Sequence, residues 1–265
     1  MIKNYIKKFD LNNKLAFVIG GTGYIGSEIV NALDSMNCKV INLDVVPIKK
    51  RQNKKIINEY INLSKVSGLE ASLKKIIKKH SVPDIFINAS YPRTKDWKNN
   101  YFSKISLQSF EKNMKIHLNS YIWSSKIIAE QMVKNKKKGS IINLSSIYGL
   151  VGQDLEIYKG TNMKENVTYS VIKGGINNFT KQMSSYYGKF NIRVNAICPG
   201  GVINNEDKKK LKTQKSFEKN YTKKVPLKRF ARTDEVASAV IFLSSDASSY
   251  ITGTLLPIDG GWTAI

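Results

Sequence analysis

The feature that most constrains this chain is a glycine-rich turn between an apolar run and an amphipathic helical pattern. The run L-A-F-V-I breaks into G-G-T-G-Y-I-G over Gly20–Gly26. Apolar residues then recur at helical spacing at Ile29, Leu33 and Met36. A second strand, K-V-I-N-L-D, ends at Asp44. This order of strand, glycine turn, helix, strand and terminal acid predicts a βαβ unit that binds a dinucleotide, with the pyrophosphate at the helix N-terminus.

The acidic residue that ends the second strand bears on the choice of cofactor. Asp44 follows the first glycine of the turn at about the spacing typical of the carboxylate that accepts both ribose hydroxyls. A carboxylate there repels a 2′-phosphate, so NAD is favoured over NADP. An alternative stays open, because Lys49, Lys50 and Arg51 follow closely and could receive that phosphate. The cofactor contacts predicted in this unit are Gly20, Thr22, Gly23, Tyr24, Ile25 and Asp44.

The rest of the chain repeats the alternation of strands and helices. Repeated βα units predict an α/β fold, a Rossmann-type doubly wound parallel sheet flanked by helices on both faces. The lysine-rich region 205–224 is expected to be a mobile, exposed helix pair or loop. Strands are predicted over Lys55–Leu63 and in the runs D-I-F-I-N-A, I-I-N-L, I-R-V-N-A-I-C-P-G-G and T-L-L-P-I-D; helices are predicted over Val66–His80, over Leu107–Lys137, from Tyr169 to about Gly188, and from Thr233.

The length of 265 residues suits one large α/β domain. We expect a tail over residues 1–8 and a single domain over 9–265, with substrate loops at 150–168 and 202–228. No apolar run approaches the ~20 residues of a membrane span, and no signal peptide is recognisable. Cys38 and Cys198 lie in strand-like runs and are expected to be buried thiols of a reducing compartment. The expected location is therefore the cytoplasm, with no membrane partner.

The charge is strongly basic, with 43 Lys and Arg against 20 Asp and Glu and a net charge of +23. Basic proteins often bind nucleic acid, but here the lysines are spread along the whole chain and arginine, which suits bidentate phosphate contacts, is scarce. We interpret the charge as a solvated surface without a nucleic-acid partner; the alternative is a field that steers a small anionic substrate. Two histidines with no recognisable ligand spacing predict no metal site.

A second motif, Y-S-V-I-K, lies within the stretch Gly139–Lys173. Tyr169 and Lys173, four apart, share one face of the predicted helix. A phenol titrates near pH ~10, and a cation one turn away favours the phenolate. With a serine hydroxyl nearby, the pair could move a proton on or off a substrate oxygen while a hydride moves on or off its carbon. The spacing alone also occurs by chance in many helices.

Together with F-D-L-N-N-K, I-N-A-S, I-I-N-L-S-S, R-V-N-A-I-C-P-G-G-V and I-T-G-T-L-L-P-I-D-G-G-W, these motifs resemble the single-domain short-chain dehydrogenase/reductase family over about Phe9–Thr263. The resemblance implies an NAD(P)-dependent enzyme that forms homodimers or homotetramers. It implies Tyr169 as acid/base, Lys173 as the cation that binds the nicotinamide ribose and lowers the tyrosine pKa, and Ser146 as the substrate-polarising residue. It also implies cofactor contacts from Asn62 and Leu63 to adenine, from Asn88 and Ala89 on the adenosine ribose side, and from Pro199, Gly200 and Val202 to the nicotinamide.

Three positions depart from the family pattern. Tyr24 stands where single-domain members usually have a glycine, a spacing used by larger sugar-nucleotide-modifying relatives. His117 occupies the position of the usual proton-relay asparagine, where it either has no role or carries the relay itself. Ser146 and Tyr169 are separated by roughly ten more residues than is usual, so an insert over Gln153–Val167 lies directly beside the predicted catalytic tyrosine.

The insert and the run A-S-Y-P-R resemble dehydrogenases of flagellin-glycan, nonulosonic acid and surface-polysaccharide pathways. The expected activity is an NAD-dependent interconversion of a secondary alcohol and a ketone on a sugar, phosphorylated or nucleotide-activated. The alternatives are a general 3-oxoacyl-thioester or ketone reductase and a non-catalytic dinucleotide-binding protein. We expect the insert to cover the substrate, the other possibility being a surface excursion. The polar side chains expected to meet the substrate are Arg93, Glu156, Tyr158, Lys159, Thr161 and Asn162.

Overall fold

Strands and helices alternate along the chain, as predicted. The structure, a computed structural model, describes residues 4–47, 56–203 and 215–265. The strands are β1 (Leu15–Ile19), β2 (Lys39–Asp44), β3 (Ile56–Tyr60), β4 (Ile85–Asn88), β5 (Gly139–Leu144), β6 (Ile192–Pro199), β7 (Val202–Ile203), β8 (Ala231–Arg232) and β9 (Leu255–Ile258). The helices are α1 (Tyr24–Ser35), α2 (Leu69–His80), α3 (Leu107–Asn113), α4 (Asn119–Lys134), α5 (Val167–Tyr187), α6 (Lys215–Lys224) and α7 (Thr233–Ser244).

Within the described residues, seven strands form one sheet in the order β3-β2-β1-β4-β5-β6-β9. Every neighbouring pair is parallel, with Ala16 opposite Val40 of β2 on one side and Ile85 of β4 on the other. From β1 the chain adds strands toward one side of the sheet, and from β4 it adds them toward the other. The crevice at the carboxyl ends of β1 and β4 is therefore the topological switch point, where ligands bind in such sheets. The Rossmann-type prediction is confirmed.

The core consists of two apolar layers, one on each face of the sheet. Side chains of β1 alternate between them: Phe17 packs into the layer under α2, α4 and α5, whereas Val18 packs into the layer under α1 and α7. Both side chains are fully buried. Because the sheet is covered on both faces at its centre, β1 is a continuous and fully buried apolar run. The two predicted buried thiols, Cys38 and Cys198, are confirmed as buried and free.

The long helix predicted over Leu107–Lys137 is interrupted. A π-helical turn over Met114–Leu118 separates α3 from α4, and α4 ends at Lys134. The end comes earlier than predicted because Lys136 adopts a left-handed conformation with φ 51°, after which Lys137 N donates to the Met132 carbonyl at 2.9 Å. Single π turns inside helices are often found at functional sites.

The expectation of an exposed helix in region 205–224 holds for most of α6 but not for its inner face. The Tyr221 side chain is 3% exposed, and its ring lies between those of Phe230 and Trp262, with centroids 4.7 and 4.6 Å away. One apolar face on an otherwise lysine-rich helix is enough to pack it down. Residues 205–214 of the predicted region lie outside the described residues.

The predicted tail over residues 1–8 begins outside the described residues and continues into a short 3₁₀ turn over Ile6–Phe9. The Phe9 ring lies 6.3 Å from that of Phe242, so the end of this segment contacts α7. Ile6 is 84% exposed. Across the described ranges, no helix combines the length and the apolar character that crossing a membrane requires.

Candidate active site

The glycine turn after β1 is close-packed in a way that only glycine allows. Gly20 has a φ of +76°, and a Cβ on it would lie 2.6 Å from the backbone of Ser90, at the end of β4. A Cβ on Gly26, in the first turn of α1, would lie 2.1 Å from the carbonyl oxygen of Gly20. The turn therefore leaves the N-terminus of α1 open at the switch point, where its backbone amides can bind a pyrophosphate.

Asp44 lies at the end of β2 with its carboxylate held in place. It accepts hydrogen bonds from the backbone amides of Thr22 at 3.1 Å, Val45 at 2.7 Å and Val46 at 3.3 Å. Thr22 closes the arrangement by donating its hydroxyl to the Val46 carbonyl at 2.6 Å. The carboxylate is thus fixed beside the glycine turn, as binding a ribose requires. The three cations at positions 49–51, which could bind the 2′-phosphate of NADP, lie outside the described residues.

A crevice of about 710 Å³ runs along the carboxyl edge of the sheet. The glycine cradle, the open helix N-terminus and the fixed carboxylate fit a nicotinamide dinucleotide, and they share this crevice with the Y-S-V-I-K motif. Among the predicted contacts, those that line it are Gly20, Gly23, Tyr24, Ile25, Asp44, Asn62, Leu63, Ala89, Tyr169, Lys173, Pro199, Gly200 and Val202.

Asn88, also predicted to contact the cofactor, is fully buried. Its amide nitrogen donates to the Ser124 hydroxyl at 3.0 Å, and its oxygen accepts from the Ser90 backbone amide and hydroxyl at 3.2 and 2.6 Å. The side chain therefore fixes the end of β4 against α4, while the neighbouring Ala89 lines the crevice.

Tyr169 and Lys173 are positioned by the first turns of α5. Asn166 caps this helix, its side-chain oxygen accepting from Tyr169 N at 2.8 Å. Lys173 is 2% exposed and donates from Nζ to the Leu144 carbonyl at 2.7 Å. Its Nζ lies 5.5 Å from the ring centroid of Tyr169. The helix thus brings the two side chains together over the end of β5.

Ser146, which follows β5, completes the group. It is 5% exposed, and its Oγ accepts from Tyr148 N at 3.2 Å. Burial raises the pKa of Tyr169 and Tyr91 adds to the rise, while hydrogen bonding with Ser146 lowers that pKa by less. The three residues predicted to be catalytic therefore meet at one point, where the phenol is held protonated.

The electrostatics differ from the sequence-based argument, in which Lys173 lowers the tyrosine pKa. Burial lowers the pKa of Lys173 itself to about 7. Burial also dominates the upward shift of the Tyr169 pKa. Removing water disfavours the charged form of both groups, so the phenolate and the ammonium are each costly here. In the protein alone, burial outweighs the attraction between them.

The family model described as Enoyl-(Acyl carrier protein) reductase matches residues 23–263, nearly the whole chain. The chain belongs to the short-chain dehydrogenase/reductase family. Members bind a nicotinamide dinucleotide and act on small molecules, and this chain is an NAD(P)-dependent oxidoreductase of the family, as the resemblance implied.

Similar proteins extend over the full length. The post-translational flagellin modification protein A of Campylobacter coli is 28% identical over 95% of this chain and 99% of its own. Glucose 1-dehydrogenase 2 of Bacillus subtilis is 30% identical over 96% of each chain. A short-chain dehydrogenase of Leptospira borgpetersenii, solved with bound NAD⁺, is 30% identical, with a TM-score of 0.85 over 99% of this chain and 97% of that one. The predicted likeness to flagellin-modifying dehydrogenases is confirmed.

His117, which the sequence predicts to occupy the relay position, lies in the π-helical turn and is fully buried. Neither ring nitrogen has a hydrogen-bond partner among the described residues. Burial and, secondarily, the charge of Lys173 hold its pKa well below the ordinary value, so the ring is neutral. Its ring centroid lies 5.6 Å from that of Tyr121 and 5.3 Å from that of Tyr91. The imidazole borders the catalytic group, and both interpretations of its role stand as hypotheses.

Aromatic side chains surround the Tyr169 ring, a feature that the sequence reasoning missed. We call Tyr91, Trp97 and Tyr148 the aromatic wall. Their ring centroids lie 5.8, 6.3 and 6.5 Å from that of Tyr169, all with edge-to-face geometry. The sequence could have pointed to Tyr148, two residues after Ser146, and to Tyr91, within the quoted run A-S-Y-P-R, because both lie in or beside recognised motifs. Trp97 had no such signal, because only tertiary folding brings its loop to the catalytic tyrosine.

The insert between Ser146 and α5 is closed by Gln153. The amide nitrogen of Gln153 donates to the Asn166 carbonyl at 2.8 Å, and its oxygen accepts from Asn166 N at 3.2 Å and from the Tyr158 hydroxyl at 2.9 Å. Asn166 also donates to the Trp97 carbonyl at 2.9 Å. The insert is therefore joined both to the start of the catalytic helix and to the aromatic wall.

The outer side of the insert packs against α6. Ile157 is fully buried, and Asn220 donates to the Lys159 carbonyl at 2.9 Å. The Tyr158 ring stacks on Phe217 with centroids 6.1 Å apart. Glu156 and Lys159, both expected to meet the substrate, form an exposed ion pair of 2.7 Å with each other. Of the polar residues predicted for substrate recognition, Arg93 lines the crevice, whereas Glu156, Tyr158, Lys159, Thr161 and Asn162 are not among its lining residues.

Proposed function

We propose that the chain is an NAD-dependent oxidoreductase that interconverts a secondary alcohol and a ketone on a sugar, phosphorylated or nucleotide-activated, in glycan biosynthesis. The observation that carries the proposal is the single crevice that joins the glycine turn and Asp44 to Tyr169 and Lys173. A dinucleotide and the substrate oxygen can therefore occupy neighbouring parts of one cleft.

The preference for NAD is supported by the fixed carboxylate of Asp44. Three backbone amides hold it beside the glycine turn, so it can accept ribose hydroxyls without reorganising and would repel a 2′-phosphate. When bound, the nicotinamide supplies or accepts the hydride. Gly20–Ile25 would hold the pyrophosphate, Asn62 and Leu63 the adenine, and Pro199, Gly200 and Val202 the nicotinamide.

The chain's own residues would then handle the proton. Ser146 holds the substrate oxygen, and the hydroxyl of Tyr169 donates a proton to that oxygen during reduction or accepts one during oxidation. Lys173 is fixed by the Leu144 carbonyl, close enough to favour the phenolate whenever it is charged.

The sugar assignment rests on the character of the wall and on the relatives. Tyr91, the member of the wall that lines the crevice, offers a flat apolar face and a polar hydroxyl, a combination that suits the C–H faces and hydroxyls of a sugar ring. The flagellin modification protein and the glucose dehydrogenase that the chain resembles point the same way. A long acyl chain would be better served by an aliphatic lining.

The test is a screen of phosphosugars and nucleotide sugars with NAD, following absorbance of the reduced cofactor, with acetoacetyl-CoA and NADH as the comparison. We expect turnover of at least one sugar and little of the thioester. Tyr169→Phe serves as the control that the rate belongs to this site. Efficient thioester reduction without any sugar turnover would favour the general reductase, and no turnover of either class would contradict both assignments of the substrate.

We further propose a homodimer or homotetramer. The outer faces of α4 and α5 expose Trp123 and Val171, which are 45% and 43% exposed and suited to a partner surface. The competing force is repulsion between subunits of net charge +23. A light-scattering mass near the 29.9 kDa of one chain, at micromolar protein and physiological salt, would contradict the assembly.

A further inference from the structure

Arg93 lies at the end of the crevice that contains Tyr169, the reacting end, and takes no part in the proton transfer. It lines the crevice together with Tyr91, Pro92, Tyr169 and Lys173. Its guanidinium carbon lies 5.0 Å from the centroid of the Tyr91 ring, and that ring lies 5.8 Å from the ring of Tyr169. One aromatic side chain therefore separates a permanent cation from the catalytic phenol.

The charge of Arg93 is uncompensated within the part of the chain that the structure describes. None of the ion pairs found there involves Arg93. Asp44 is the one acidic residue among the described residues that line the crevice, and it lies at the other end, beside the glycine turn. The exposed guanidinium of Arg93 is thus a permanent positive charge at the reacting end, whereas burial lowers the pKa of Lys173 to about 7.

The backbone that carries Arg93 is fixed although the side chain is exposed. Thr94 N donates to the Asn113 side-chain oxygen at 3.0 Å, and Asn113 donates from its amide to the Thr94 hydroxyl at 2.8 Å. On the other side, Pro92 restricts the backbone of Tyr91. A guanidinium on a fixed backbone, held over an aromatic face, loses little freedom when it binds a ligand.

We propose that Arg93 binds an anionic group of the substrate, a carboxylate or a phosphate, at a position remote from the reacting carbon. The inference rests on the proposed function, because it assumes that the Tyr169 end of the crevice takes the substrate. The planar guanidinium can donate two parallel hydrogen bonds to either anion. The substrate class is therefore a sugar acid or a sugar phosphate.

The pyrophosphate of the cofactor is the other anion that enters this crevice. The N-terminus of α1 and the glycine turn already provide its amide donors, on the opposite side of the switch point from the loop after β4. The two assignments make different predictions: an arginine that serves the substrate leaves cofactor affinity unchanged when it is replaced.

The experiment is calorimetric titration of the protein loaded with NADH, which cannot oxidise an alcohol. The probes are D-glucose, D-glucose 6-phosphate and D-gluconate, which separate a neutral sugar, a phosphate and a carboxylate. The variants are Arg93→Gln and Arg93→Lys, with Lys95→Gln as the matched control, since Lys95 is an exposed cation of the same loop outside the crevice lining. NADH affinity is measured for each variant as well.

We expect at least one anionic probe to bind the parent protein tenfold or more tightly than glucose does. Arg93→Gln should weaken that anion about tenfold or more and leave glucose and NADH unchanged. Arg93→Lys keeps the charge but loses the paired donors, so its affinity for the anion should lie between those of the parent protein and Arg93→Gln. Lys95→Gln should stay within about twofold of the parent, because it changes only the overall field.

Three outcomes would overturn the inference: equal weakening by Arg93→Gln and Lys95→Gln, no preference of the parent protein for either anion over glucose, or a loss of NADH affinity in Arg93→Gln that matches the loss of anion affinity. Failure of the proposed function has a different signature. In that case no sugar is oxidised with NAD, whatever the anion titrations show.

Discussion

The two ends of the crevice are built in different ways. The cofactor end consists mainly of backbone: the turn at Gly20–Gly26 and the strand end at Asp44, joined by bonds such as Thr22 N to the Asp44 carboxylate at 3.1 Å. The glycine turn and Asp44 both lie within one short stretch of sequence. The reacting end consists of side chains from distant segments, with Trp97 and Tyr148 both edge-on to Tyr169.

The two ends are therefore held in position by different kinds of interaction. The cofactor end is fixed by steric limits at glycine positions, which tolerate no added atom. The reacting end is fixed by packing among aromatic rings and by the Gln153–Asn166 bonds of the insert. We therefore expect substitutions at the first end to change cofactor affinity and substitutions at the second to change turnover or substrate affinity, with little crossover.

The largest difference between the effect on turnover and the effect on cofactor affinity should come from Tyr169→Phe. The change removes the hydroxyl that moves the proton and keeps the ring that packs against Tyr91 and Trp97. Turnover should fall by about 10²–10⁴, the usual loss for a general acid or base. Calorimetry should show unchanged NAD affinity. Near-normal turnover in this variant would mean that the catalytic hydroxyl has been assigned to the wrong residue.

The next effect is the pH dependence of alcohol oxidation. Burial raises the pKa of Tyr169, so the phenol is protonated at neutral pH. Oxidation needs the phenolate, whose population grows tenfold per pH unit below that pKa, so log kcat/KM should rise with a slope near one through alkaline pH. Ketone reduction, which needs the phenol, should already be efficient near pH ~7. An oxidation rate that levels off near pH ~7 would show that the charge of Lys173 outweighs burial in the working enzyme.

The same contrast explains what could be predicted from the sequence. The glycine turn, Asp44 and the Y-S-V-I-K helix are local patterns in which spacing dictates geometry, and the structure brings Ser146, Tyr169 and Lys173 together as expected. The raised pKa of Tyr169 could not be predicted, because burial depends on tertiary packing. Polarity alone also misled: Glu156 and Lys159 are polar beside the catalytic helix, yet they pair with each other on the surface.

A smaller change is expected when the cofactor end is altered at Asp44. Asp44→Asn removes the charge that would repel a 2′-phosphate and keeps one of the two oxygens, which can still accept from Val45 N, whereas Thr22 N, bonded to the other oxygen, loses its acceptor. The ratio of NADP to NAD dissociation constants should narrow by about tenfold or more, since hydrogen bonds to charged groups contribute about 1.5–3 kcal/mol. Turnover at saturating NAD should change little. Equal or tighter NADP binding by the unaltered protein would contradict the proposed preference.

The smallest effect should come from the insert, where two neighbouring residues provide a matched pair. Tyr158 bonds to Gln153 and stacks on Phe217, which links the wall around Tyr169 to α6. Lys159 is exposed, and the ion pair it forms among the described residues is with exposed Glu156, an arrangement that contributes little to stability. Tyr158→Ala should therefore raise the substrate KM severalfold by loosening the wall, with NAD affinity unchanged, whereas Lys159→Ala should leave both constants as they are. Tyr158→Phe, which keeps the stacked ring and loses only the hydroxyl, should lie between them. If Lys159→Ala raises KM as much as Tyr158→Ala does, the insert meets the substrate through its charged surface, and the division between a packed wall and a solvated exterior is wrong.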